Sequence, residues 1–322
     1  MIEKEKLIVI VGPTAVGKTE IAVEVAADLD GEIISADSMQ VYRGMDIGTA
    51  KIQEHEMISR NGKKIPHHLI NILDPDEDFS VADFQVLARG LISEINARGK
   101  IPLLVGGTGL YVDAVINPYN FPELNTDYQL RKKLLEKAEK CGNETLYREL
   151  AAIDPDTANK LHPNDVRRIA RALEIYYQTG KTISQMQKEG QNKAAYALVM
   201  IGLFADRPFL YERINQRVDQ MISKGLIEEV RELIQKGYSP KLKSMQGLGY
   251  RQIAAYLTGI LTKEEAIYLL KRDTRHFAKR QFTWFKRDQR IQWFNVTDFP
   301  KKNICAEKIT AYISRTIGNP VE

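Results

Sequence analysis

The feature that most constrains this chain is Gly12-Pro13-Thr14-Ala15-Val16-Gly17-Lys18-Thr19. It stands between a five-residue apolar run, Leu7 to Val11, and a stretch with Ile21, Ala22, Val25, Ala26 and Leu29 at helical spacing. A G-x-x-x-x-G-K-[ST] loop between strand and helix is a phosphate cradle. Gly12 and Gly17 let the backbone curl so that the loop's N–H groups converge on phosphate oxygens at the positive end of the helix dipole, with Pro13, Thr14, Ala15 and Val16 completing the binding loop between them. Lys18 adds a point charge, and Thr19 can place its hydroxyl on a magnesium ion. A loop built this way needs a parallel sheet behind it, so the remaining chain has to alternate strands with helices.

It does so at both ends. The first helix stops at Asp30-Gly31, and Glu32 to Ser35 restarts as a short strand whose carboxyl end delivers Asp37. Ser80 with Asp83 predicts a capped helix running to about Ala97, and Ile101 to Val105 is another buried strand. From about Pro118 to Gly190 strand signals vanish and the text is helical, with breaks at Gly142, Asp154-Pro155, His162-Pro163-Asn164 and Gly180. Ala195 to Phe204 is strand-like again, Leu210 to Ile234 reads as one amphipathic helix, Thr262 with Glu265 caps a long helix, and Ile291 to Val296 is a late strand. The expectation is an α/β fold, a P-loop NTPase-like parallel sheet flanked by helices. Its core takes residues 1–117 and 200–322, and an all-helical insertion takes 118–199.

Composition narrows the class. With 322 residues, 43% hydrophobic and 27% charged, the chain can bury one large core or two unequal ones. A net charge of only +4 still includes 46 Lys and Arg, enough for local basic surfaces that a polyanion could use. Cys141 and Cys305 have no second ligand at metal spacing, which excludes a zinc site or disulfide framework as a sequence reading. The apolar run at Leu7 is too short for a signal peptide and no stretch approaches membrane-spanning length, so a cytoplasmic protein without a membrane partner is expected.

A phosphate loop names a ligand, not a reaction. Transfer from a nucleoside triphosphate such as ATP needs a magnesium-holding acid at the end of a later strand. Here Ile101 to Val105 runs into Gly106-Gly107-Thr108-Gly109, with no acid. That pattern suits an enzyme holding diphosphate as a leaving group.

Asp37-Ser38-Met39-Gln40-Val41-Tyr42, Gly44 to Lys51 and Pro66-His67-His68-Leu69 together resemble the signature of tRNA dimethylallyltransferases, and Gly106 to Tyr111 resembles the next motif of that family. Further similarities are His162-Pro163-Asn164-Asp165 leading to Arg167, Arg168 and Arg171, then Tyr211 to Arg217, Gly247 to Arg251, and Lys279 to Trp284. They cover nearly the whole chain, in order. The chain ends at Glu322 without the zinc finger that eukaryotic members often carry, so it resembles the short bacterial form. The resemblance implies transfer of a dimethylallyl group from dimethylallyl diphosphate to N6 of the adenosine immediately 3′ of the anticodon in tRNA, releasing diphosphate, by a monomer using Mg2+. It implies Asp37 as general base, Thr108 over the reacting centre, and Lys18, Arg213 and Arg217 on the diphosphate. It further implies tRNA contacts from Asp37, Ser38, Met39, Gln40, Thr108, Arg131, Arg167, Arg168, Arg171, Gln246, Gly247, Gly249, Tyr250, Arg251, Lys279, Arg280, Thr283 and Trp284.

Chemistry supports these roles, and plainer readings stand beside them. An exocyclic adenine amine is a poor nucleophile that a carboxylate can help by taking its proton, though Asp37 could equally be a turn residue before Ser38. Arg213 and Arg217 share one helical face, where Glu212 or Asp219 could instead neutralise them. Arg167, Arg168 and Arg171 suit phosphate contacts. Between Lys271 and Arg290 eight Lys or Arg stand against two Asp, interleaved with aromatics suited to base stacking; for Trp284 the alternative is core packing. Gln40 can read an adenine edge, while His67 and His68 read as structural or surface residues. A nucleotide kinase, an isopentenyltransferase acting on free adenine nucleotides and a non-catalytic RNA-binding NTP switch are the competing readings.

Overall fold

The strands are runs of branched apolar residues because both faces of the sheet are covered. A computed structural model describes residues 4–117, 127–189 and 196–318. The first part of the chain forms β1 (Lys6–Val11), α1 (Lys18–Asp28), β2 (Gly31–Ala36), β3 (His67–His68), α2 (Val81–Ala97), β4 (Ile101–Gly106) and α3 (Gly109–Ile116). Then come α4 (Tyr128–Cys141), α5 (Asn143–Ile153), α6 (Pro155–Ala158), α7 (Val166–Thr179) and α8 (Ile183–Glu189). The last part is β5 (Ala197–Phe204), α9 (Arg207–Ser223), α10 (Leu226–Gln235), α11 (Tyr250–Leu257), α12 (Lys263–Phe285), β6 (Ile291–Asn295) and α13 (Lys302–Gly318). The sequence expectations at Pro118, Gly190 and Ala195 fall outside the described residues.

The six strands pair in the order β3-β2-β4-β1-β5-β6, all parallel. Val11 of β1 pairs with Gly106 of β4, and Gly106 with Ala36 of β2. The segments that leave these three strands therefore emerge side by side at one sheet edge, where open α/β sheets collect ligands. Leu7 through Val11 have no exposed surface.

Local signals act as expected at the capped helices. Ser80 Oγ accepts from Asp83 N while Asp83 Oδ2 accepts from Ser80 N, and Thr262 with Glu265 repeats the exchange at α12. The single helix expected over Leu210 to Ile234 is instead α9 and α10, because Gly225 at φ +100° breaks the ladder in a conformation that suits glycine. His67 and His68 form the short edge strand, with Nδ1 of His67 beside Ile65 O and Nε2 of His68 donating to Glu32. Among the described residues no helix is long and apolar enough to cross a membrane.

The chain divides into two compact units, Met1–Asp113 with Tyr196–Glu322, and Ala114–Ala195. The second unit packs Leu134, Leu146, Leu150, Ile169 and Leu173 around its own core. Within it Glu174, with no exposed surface, accepts from Arg131 Nε, Arg171 Nη1 and the Asp127 backbone N–H at 2.8, 2.9 and 3.1 Å.

In the first unit the sheet edge is tied by Glu32. Its Oε2 accepts from His68 Nε2 and Arg98 Nη2, each at 2.8 Å, and Oε1 faces Lys100 Nζ at 3.2 Å. Burial pushes this carboxyl up, but the hydrogen bonds from His68 and Lys100 and the charge of Arg98 outweigh it and hold Glu32 below its ordinary value. Its charge therefore stabilises the fold above the unfolded-state pKa, and that contribution is lost as pH falls through the lower folded-state value. Glu32→Gln should lower the melting temperature at neutral pH, with a smaller gap to the parent protein at an acidic pH below the ordinary carboxylate range. Calorimetry at both pH values checks this; an equal gap would show that the charge is irrelevant.

Candidate active site

Over the carboxyl ends of β1, β2 and β4 lies a cavity of about 1100 Å³. The phosphate loop forms its floor, and the loop is shaped by what glycine alone allows. Gly12 has φ +150°, and a Cβ there would sit 2.4 Å from Leu203 O; Gly17 has φ +104°. Lys18 Nζ donates to Gly12 O and Pro13 O at 2.9 and 2.8 Å. Burial first, then the charge of Arg217, push the Lys18 ammonium down to about 7, with Asp37 pulling the other way. A buried cation so placed gains most from an arriving anion.

Asp37 leaves the end of β2 and lines the cavity. Its Oδ1 accepts from Met39 N at 2.9 Å, so the turn role foreseen as an alternative is real. Among the described residues the second oxygen carries no hydrogen bond. Thr108 Oγ1 accepts from Ser38 N at 3.2 Å, and Thr108 N donates to Ala36 O at 3.2 Å. Thr108, Ser38 and Met39 do not line the cavity; Thr108 braces the Asp37 turn from the end of β4. Gln40 does line it, with Oε1 accepting from the buried Ser35 hydroxyl at 3.1 Å.

Arg213 and Arg217 reach the same cavity from α9. The acids that could have neutralised them are engaged elsewhere. Glu212 accepts from Gln216, and Asp219 pairs with Lys271. Burial holds Arg217 below its ordinary pKa, Asp37 opposes this and Arg213 adds to it. The exposed Thr19 hydroxyl lies at the start of α1 within the cavity. No cluster of three or more His, Cys, Asp or Glu occurs among the described residues. A magnesium ion here would take its remaining ligands from diphosphate oxygens and water, which is the usual habit of that ion, so the donor set fits it.

The residues expected to contact tRNA separate by environment. Exposed on α12 are Lys279, Arg280 and Thr283, and Gln246 and Arg251 are exposed nearby in sequence. Arg251 already donates to Asp273 at 2.7 Å and Gln246 to Pro240 O. Tyr250 is a correction: it is fully buried, its hydroxyl donating to Glu229 at 2.6 Å, so its side chain is core. Trp284 is a second. Its Nε1 donates to Asp113 at 3.0 Å and its ring covers Gly109, where a Cβ would come within 2.3 Å. Gly247 makes room for Met39, and Gly249 starts α11 at φ +91°, so both glycines serve packing and turn geometry. In the helical unit, Arg131 and Arg171 are held by Glu174, whereas Arg167 and Arg168 are exposed with no acidic partner among the described residues.

Two residues escaped the sequence reading. Glu229 accepts from the N–H groups of Asp46, Ile47 and Gly48 at 3.0, 2.7 and 3.1 Å, pinning the loop beyond Gln40. Gln281, only 6% exposed, bridges Thr14 and Gly107. Nothing local marks either one: Glu229 is one of two acids opening α10, and Gln281 lies inside a basic and aromatic run.

A family model described as IPP transferase matches residues 40–288, and one described as isopentenyl transferase matches residues 5–66. A protein called tRNA dimethylallyltransferase from Carboxydothermus hydrogenoformans is 55% identical, the match covering 98% of each chain. The crystal structure of the tRNA isopentenylpyrophosphate transferase from Bacillus halodurans is 48% identical, with a TM-score of 0.73 over 98% of this chain and 97% of that one. A eukaryotic dimethylallyltransferase described as acting on tRNA is 32% identical, with a TM-score of 0.82 over 99% of this chain and 81% of that one. These neighbours carry the P-loop NTPase-like fold, and the parallel sheet here is of that class.

Because Arg217 is half-buried and makes no salt bridge among the described residues, Arg217→Gln should leave the melting temperature unchanged or higher while weakening binding of inorganic pyrophosphate by about tenfold or more. Calorimetric titration and a thermal melt check both halves; undiminished pyrophosphate binding would remove Arg217 from the anion site.

Proposed function

The chain belongs to the IPP transferase family, and from that membership and the cavity's chemistry we propose that it moves a dimethylallyl group from dimethylallyl diphosphate to N6 of the adenosine immediately 3′ of the anticodon, releasing diphosphate. It is a transferase of a tRNA-modifying family. The observation that carries the finer reading is the meeting of the Asp37 carboxylate with Lys18, Arg213 and Arg217, cations that make no salt bridge among the described residues, around a single cavity.

The loop N–H groups, Lys18 and the two arginines bind the diphosphate and stabilise the charge that grows on it as the C–O bond breaks. Thr19 would hold a magnesium ion whose positive charge supplies further stabilisation of the leaving group. Asp37 takes the proton from the attacking amine with its unengaged oxygen, while Oδ1 stays on Met39 N and fixes the carboxylate's direction. Thr108 holds that turn from the other side through Ser38 N. A base stacked in the anticodon loop cannot reach Asp37, so the adenine leaves the stack and Gln40 meets its edge. The exposed cations of α12 and the free Arg167 and Arg168 serve the phosphate backbone, and Arg131 and Arg171 orient the helices that present them. The reading includes a monomer working in the cytoplasm.

Incubation with dimethylallyl diphosphate and unmodified tRNA, followed by nucleoside mass analysis, tests the whole proposal. A phosphorylated product formed from ATP would favour a kinase instead. Asp37→Asn should cut transfer by about a hundredfold or more while tRNA affinity stays within twofold, as expected for loss of a general base. Replacing Arg167 and Arg168 together by Ser should flatten the slope of log affinity against log salt by about 1.5, the share of two phosphate contacts. An unchanged slope would take the helical unit's free arginines out of the footprint.

A further inference from the structure

Helix α12 does more than present a basic face. Its inward residue Gln281 spends both ends of its amide on the site. Oε1 accepts from Thr14 N at 2.8 Å, and Nε2 donates to Gly107 O at 2.9 Å. The first partner belongs to the phosphate loop after β1, the second to the turn after β4 that leads into Thr108. Gly107 has no side chain where the amide passes: a Cβ there would lie 2.1 Å from Nε2. The same helix sends Trp284 over Gly109, so Thr108 is flanked by two glycines that each admit a side chain of α12.

We infer that Gln281 is a positioning residue for the transfer reaction, holding the phosphate loop and the Thr108 turn at one fixed separation, and with it the distance between leaving group and base. This rests on the transfer reading above. The steps are these. Pro13 has no N–H and Thr14's is capped by Gln281, so beyond Gly12 the loop's first N–H left for a phosphate is that of Ala15. Gln281 thereby sets where along the loop a phosphate seats. Through Gly107 it also sets the height of Thr108, which braces Ser38 and the Asp37 turn. A primary amide of this length offers an acceptor to one strand end and a donor to the other at any pH. Leucine offers neither, and an ionised carboxylate would meet the Gly107 carbonyl as acceptor against acceptor.

The full-length protein carrying Gln281→Leu should keep its tRNA affinity, bind inorganic pyrophosphate with magnesium about tenfold more weakly, and show a lower rate at saturating donor as well as a raised donor KM. A residue that only packed α12 would lower the melting temperature without that split between binding and rate. Gln281→Glu supplies the second arm. When protonated, its new carboxyl can donate to Gly107 O and accept from Thr14 N, so transfer relative to the parent at the same pH should rise as pH falls. When ionised it should behave like Gln281→Leu.

Parental pyrophosphate binding and rate in Gln281→Leu would overturn the inference. If Gln281→Leu does not fold, a pH-independent ratio for Gln281→Glu overturns it and a rising ratio supports it. Should the parent transfer nothing to tRNA, the transfer reading fails on its own, and the pyrophosphate titration still decides whether Gln281 sets the loop.

Discussion

The parallel register that lays Gly106 between Val11 and Ala36 is the constraint on which the site depends. Three chain segments far apart in sequence leave the sheet at the same edge because of it. One curls into the phosphate loop, one turns at Asp37, and one turns at Thr108. None of these turns is held by its own residues alone. Asp37 is fixed by Met39 N, the following Ser38 N is taken by Thr108, and Thr14 N is taken by Gln281. The sheet brings the groups within reach, and a few side chains set the last ångström, which is the scale on which catalysis is sensitive.

The distribution of charge follows a second logic. Across the described residues, buried acids mostly serve to hold cations or backbone donors: Glu32 ties the sheet edge, Glu174 ties the helical unit, and Glu229 ties the loop beyond Gln40. At the cavity the pattern is mixed: Lys51 pairs with Asp46 and Lys302 with Glu20, whereas Lys18, Arg213 and Arg217 make no salt bridge among the described residues. Desolvation lowers the pKa of both Lys18 and Arg217, a cost to the free protein that the proposed diphosphate would offset. Stability and function thus draw on the same residue types and differ only in whether a carboxylate stands opposite.

Much of the architecture was legible in the chain because its signals are local. The loop pattern between strand and helix, the Ser80–Asp83 and Thr262–Glu265 caps, and the apolar strands were all read at or near their observed limits. The break at Gly225 was not, because an amphipathic period continues across it and a lone glycine inside such a period does not announce its φ. Strand β3 was missed for the opposite reason. Two histidines make no apolar run, and their pairing depends on Glu32 and β2.

For the site, the sequence by itself determined that a phosphate-cradle pattern stands between strand and helix, where along the chain it lies, and that an acid and several cations accompany it. Only the tertiary structure decided which of them are free to act. Arg131, Arg171 and Tyr250 share motifs with residues that face solvent, yet buried carboxylates claim all three, and Trp284 is absorbed by Asp113 and the space above Gly109. Gln281 goes the other way, from an unmarked position to one joining two strand ends. The physical reason is that a residue's type sets what bonds it can make, whereas the fold sets which partner satisfies it, three residues away for Arg171 and 267 for Gln281.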